Sequence, residues 1–120
     1  MRANSVIDAA LAWGLYFFTT IYGHVALKLA TGDGKGSDFA RSVSAFSSPW
    51  GITAFVAWAV SAWAWVLVLT KHSLIEAGAV SALRVVFMAF AAWLFLGERC
   101  GMREVAGMLC VCIGLVVMRR

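Results

Sequence analysis

Residues 73–97, SLIEAGAVSALRVVFMAFAAWLFLG, constrain this chain more than any other stretch. A helix rises about 1.5 Å per residue, so roughly 20 apolar residues cross a hydrocarbon core about 30 Å thick. The run is long enough, yet it holds Glu76 near one end and Arg84 well inside. An ionised side chain at membrane depth costs on the order of 2.5–3.5 kcal/mol on insertion scales. A span that keeps one turns it toward protein, water or a ligand. Arg84 is therefore the first residue to be explained.

Composition extends the membrane reading to the whole chain. It is 62% hydrophobic and 13% charged, whereas a soluble domain carries charge on roughly a quarter of its residues. Its 120 residues suit about four spanning helices. The predicted fold class is an all-α membrane protein, a single four-helix transmembrane domain over residues 1–120. Spans are expected near 6–30, 50–70, 73–97 and 103–118, with a polar loop at 31–49. A bundle this small does not enclose a large headgroup alone, so a dimer is expected.

The formal net charge of +4 is not a nucleic-acid signal. The ten Lys and Arg residues fall singly or in pairs at the edges of apolar runs, without a continuous basic face. That placement suits membrane lipids, through anionic headgroups and snorkelling side chains. Cys100, Cys110 and Cys112 are odd in number, and two lie inside an apolar run. They read as small packing residues, not as a disulfide framework or zinc site, and neither metal nor cofactor is expected. Asp8 precedes the first long apolar stretch and no small-residue cleavage site stands out. The first segment therefore reads as a retained span.

Within that span Tyr16, Thr20, His24 and Lys28 recur every four residues, forming a slowly drifting stripe on one helix side. Each has a bland role open to it. Lys28 can snorkel, His24 can bond a neighbouring helix, and Thr20 can bond back to its own turn. As a set they are candidate substrate contacts.

The connection that follows holds Gly32, Gly34 and Gly36, which break any helix. Phe39, Val43 and Phe46 are then spaced for a short amphipathic helix on the membrane surface, and Pro49 suits a first helical turn. The second span carries no charge. Its Trp58, Trp63 and Trp65 stand among alanines, which suggests close helix packing or a wall for a lipid tail. The short turn at Lys71-His72 makes spans two and three antiparallel neighbours. The fourth span has only 14 uncharged residues from 105 to 118. Its Ala106, Cys110 and Gly114 form a small-xxx-small face, a candidate dimer interface. Basic residues nearly balance across the two sides, so the positive-inside rule leaves orientation open.

Residues 94–118, LFLGERCGMREVAGMLCVCIGLVVM, resemble the final helix pair of the drug/metabolite transporter superfamily. Gly97 and Glu98 match the acidic pair ending one helix. Arg103 matches the short basic turn, and Gly107 and Gly114 the glycine-punctuated last helix. With four spans the chain looks like the small EamA-like or small multidrug resistance-like members. The multidrug branch places a glutamate in the first helix, and counting back from Lys28 that position falls on Thr20 here. Residues 23–31, GHVALKLAT, are similar to the first-helix pattern of the flippase subunits that move aminoarabinose-linked undecaprenyl phosphate. Arg84 departs from that branch, where a polar uncharged residue is usual. The resemblance implies a multi-pass protein of the bacterial inner (cytoplasmic) membrane, working as a homodimer or with a similar small membrane protein.

Nothing in the sequence reads as an enzyme: there is no Ser/His/Asp set, metal spacing or phosphate loop, and Glu98 suits a helix end. The leading expectation is a flippase or transporter subunit for an anionic amphiphile, such as a polyprenyl-phosphate-linked sugar. A phosphate entering a membrane cavity needs fixed positive charge and donors, which Arg84 and Lys28 carry. His24, Thr20 and Tyr16 would meet sugar hydroxyls. Glu76 would pair with Arg84 in the empty site. The two lie within ~80° around one helix but ~12 Å apart along it, so a bond between protomers is easier. The alternatives are an exporter of organic cations or metabolites that uses Glu76 as its coupling carboxylate, and a non-transporting subunit of a glycosyltransferase complex.

Overall fold

The computed structural model describes residues 2–32 and 36–120, with side chains from residue 4 onward. Every regular element among them is helical: α1 (Arg2–Thr31), α2 (Asp38–Ser47), α3 (Pro49–Leu69), α4 (Leu74–Ser81), α5 (Arg84–Leu96) and α6 (Met102–Met118). The chain divides into two compact units, Met1–Leu67 and Val68–Arg120.

In the first unit α1 ends where the glycines begin. Gly32 takes a positive φ of 39°, and Gly36 one of 143°, conformations that side-chain-bearing residues rarely adopt. Gly34 and Lys35 lie outside the described residues. Arg41 of α2 then closes the end of α1, its guanidinium donating to the Gly32 carbonyl at 2.5 Å and the Thr31 carbonyl at 3.4 Å. A cation on the last carbonyls satisfies both their hydrogen bonds and the negative end of the helix dipole. Asp38, 3.8 Å away, steadies the same guanidinium.

The polar connection thus contains a formed helix, started by Ser37, whose hydroxyl accepts from the Ala40 N–H. The turn into α3 is tight. Ser48 Oγ donates to the Ala45 carbonyl and accepts from the Gly51 N–H, and Pro49 opens α3, where it needs no N–H partner. Ala45 is buried, and a methyl on Gly51 would overlap its carbonyl. Only glycine fits there.

In the second unit the apolar run 73–97 is not one uniform helix. Ser73 and Glu76 form a reciprocal capping box at its start, as S-x-x-E before an apolar run predicts. At Ala82 and Leu83 the hydrogen bonds tighten from i→i−4 to i→i−3: Ala82 N–H to Ala79, Leu83 to Val80, Val85 to Ala82 and Val86 to Leu83. Both residues keep right-handed helical angles, so the chain carries on through a 3₁₀ step. Gly97 ends α5 in the left-handed region (φ 64°), and the Glu98 N–H reaches back to the Ala92 carbonyl. Here α4 packs on α6, Ala77 is fully buried, and α6 contains no buried residue.

Three stretches are long and apolar enough to cross a membrane: Asn4–Thr31, Pro49–Leu69 and Leu74–Leu96, the last formed by α4 and α5 together. The protein is a multi-pass membrane protein. At 17 residues, α6 is shorter than these three.

Candidate functional site

The polar stripe of α1 lies against α3, all within the first unit. Tyr16, 8% exposed, places its ring 5.0 Å from that of Trp65. One turn on, the Thr20 hydroxyl hydrogen-bonds Ser61, and both are buried. A turn further, the His24 ring lies edge-on to Trp58 at 5.2 Å. As the α1 numbers rise the α3 partners fall, so the two helices run antiparallel in a fixed register. His24 Nδ1 is 2.7 Å from the Thr20 carbonyl, and since a carbonyl only accepts, this bond needs the proton on Nδ1. The imidazole Nε2 is then the ring's remaining polar atom.

Trp58 completes the cluster. Its Nε1–H is buried without a hydrogen-bond partner among the described residues. The indole edge rests on Gly23, where a methyl group would overlap it and come within 3.2 Å of the Ala54 carbonyl. Gly23 is therefore required by close helix approach. Thr19, rather than Thr20, bonds back to its own turn, donating to Leu15 O at 2.6 Å. Lys28, one turn beyond His24, is exposed at the end of the stripe.

Ser61, Trp58 and Trp65 are site residues that were not singled out as partners of the stripe, although their signal is in the sequence. Positions 58, 61 and 65 share one side of a helix, whereas Trp63 falls roughly 140° away from Trp58. The structure agrees: Trp63 is 60% exposed, whereas Trp58 and Trp65 are half-buried.

Arg84, Glu76 and the α6 residues belong to the second unit. Arg84 is the first residue of α5, immediately after the 3₁₀ step. Leu74 to Arg84 is ten residues, roughly 15 Å along a helix, about half the hydrocarbon thickness. Arg84 is half-buried, and its guanidinium makes no ion pair or side-chain hydrogen bond among the described residues. Glu76 instead serves the α4 start, with Oε2 accepting from the Ser73 N–H at 3.3 Å. Its carboxylate is thus engaged a turn from the polar end of the span. Ala106, Cys110 and Gly114 are all exposed, and a methyl on Gly107 or Gly114 would meet nothing within 4 Å. Cys100, Cys110 and Cys112 are free thiols.

Compared with known families, residues 30–120 match the model of the EamA-like transporter family. No curated protein and no solved structure matches the chain. The matched segment holds Arg84, Glu76 and the α6 face and begins at Ala30, after the Tyr16–Lys28 stripe.

Proposed function

Because the chain belongs to the EamA-like transporter family, within the drug/metabolite transporter superfamily, we propose that it moves an anionic amphiphile across the membrane as a transporter or flippase subunit. A polyprenyl-phosphate-linked sugar in the bacterial inner membrane is the substrate that best fits its charges.

The observation that carries this reading is Arg84, a guanidinium at mid-span that no side chain among the described residues neutralises. Guanidinium offers two parallel N–H donors to a phosphate, and in a low-dielectric setting such charge-assisted bonds are strong. The 3₁₀ step beside it is the type of irregularity that marks hinges in helices. Within the first unit, and as an assignment separate from Arg84, Lys28 is a proposed cation for the substrate and Tyr16, Thr20 and His24 are proposed sugar contacts. Reaching Tyr16 and Thr20 would require α1 and α3 to part, since both side chains are buried between them. A second copy, or a similar small membrane protein, is the proposed partner.

The exporter reading needs Glu76 to titrate with substrate, and that carboxylate is held in the capping box of α4. The lipid reading therefore has the better support. Its test is transport in proteoliposomes. Arg84→Ala and Lys28→Ala should each abolish movement of a polyprenyl-phosphate-linked sugar while leaving insertion and helix content intact. Unchanged transport in both variants overturns the site.

A further inference from the structure

We propose that α2 is a membrane-interface helix, with Phe39, Val43 and Phe46 inserted into the headgroup–acyl boundary of the bilayer. The inference rests on the membrane location of the chain and is independent of what it transports.

At about 100° per residue these three side chains fall within roughly 60° of one another on α2. All are exposed, Phe39 by 79%, Val43 by 50% and Phe46 by 55%. The opposite side does the docking. Arg41 and Ala45 lie roughly 165° and 125° from the middle of the apolar face, Arg41 holding the end of α1 and Ala45 packing against Gly51 of α3. The helix is therefore clamped at both ends to the polar termini of two membrane-crossing helices, and it cannot roll freely.

The direction of the free face follows from one contact. Phe46 stacks on Phe55 of α3 with ring centroids 5.1 Å apart. Phe55 is six residues past Pro49, roughly 9 Å along the span. It is itself 38% exposed and continues inward to Trp58, edge-on at 5.5 Å. The apolar face of α2 is thus continuous, through Phe46, with an exposed apolar side chain of a helix long enough to span the bilayer. Amphipathic helices at interfaces bury such faces about 5–10 Å into the headgroup–acyl boundary. Bilayer lipid is the occupant this geometry fits.

Site-directed spin labelling of the full chain tests it, in vesicles of phosphatidylethanolamine and phosphatidylglycerol. With Cys100, Cys110 and Cys112 replaced by alanine, single labels go on Phe39→Cys, Val43→Cys and Ser44→Cys. Ser44 is exposed and roughly 130° from the apolar face. The expected result is relaxation by dissolved oxygen exceeding relaxation by a water-soluble nickel chelate at 39 and 43, with the order reversed at 44. Nickel-dominated relaxation at 39 and 43 would put the face in water and overturn the proposal. Protection from both reagents there would show it covered by protein and overturn it equally. Phe39 and Val43 are exposed, so labels at these sites leave the fold in place.

Discussion

Thr20 is the residue on which the first unit turns. Its hydroxyl meets Ser61 and its carbonyl accepts the His24 imidazole N–H, so one position ties α1 to α3 and orients a histidine. Interhelical hydrogen bonds in membranes contribute about 0.6 kcal/mol on average and up to about 1.7. Thr20→Val and Ser61→Ala should each destabilise the protein by an amount in that range. Since they remove the same bond, the double variant should lose less than the sum of the two. Unfolding measured in detergent or bicelles checks this, and strict additivity would deny the coupling. The register of Tyr16, Thr20 and His24 was legible in their four-residue spacing. That they meet Trp65, Ser61 and Trp58 was not, because periodicity names a face and never its neighbour.

At the scale of the element, the apolar run 73–97 behaves as two helical pieces joined by a 3₁₀ step. Its start is a capping box, and loss of an N-cap hydroxyl costs about 1 kcal/mol. Ser73→Ala should lower thermal stability by roughly that amount. Glutamine keeps the acceptor that a capping box needs, so Glu76→Gln should fold normally and, on the lipid reading, still transport. A transport loss in Glu76→Gln with stability unchanged would instead favour the cation-exporter mechanism. S-x-x-E before an apolar run and Gly97 at the end were both readable signals. The tightening at Ala82-Leu83 carries no such mark, as both residues are good helix formers with right-handed angles.

At the scale of the whole molecule, α6 is the element that calls for a partner. A 17-residue α6 spans only ~25 Å, and it has no buried residue in a single chain. Its Ala106, Cys110 and Gly114 face is proposed to close against a second copy or a similar chain. Gly114→Leu adds bulk where no neighbouring atom lies within 4 Å, so the monomer should fold as before. Energy transfer between differently labelled copies in vesicles should fall sharply in this variant. Transfer that stays at the wild-type level would remove α6 from the interface.

The sequence by itself determined that the chain is helical, that it belongs in a membrane and roughly where its long apolar runs start and stop, though not that the run 73–97 divides in two. Those properties follow from local quantities: the length of apolar runs, charges at their edges and glycines at their breaks. Only the tertiary structure decided what each helix face meets. It put Arg41 on the end of α1, stacked Phe46 of α2 on Phe55 of α3, and seated Trp58 on Gly23. It also assigned Glu76 to a cap and left Arg84 without a side-chain partner among the described residues. These outcomes depend on which distant segments approach one another. In a chain whose faces are nearly all apolar, hydrophobicity alone cannot select among such approaches. A few polar groups and one or two glycines make the choice.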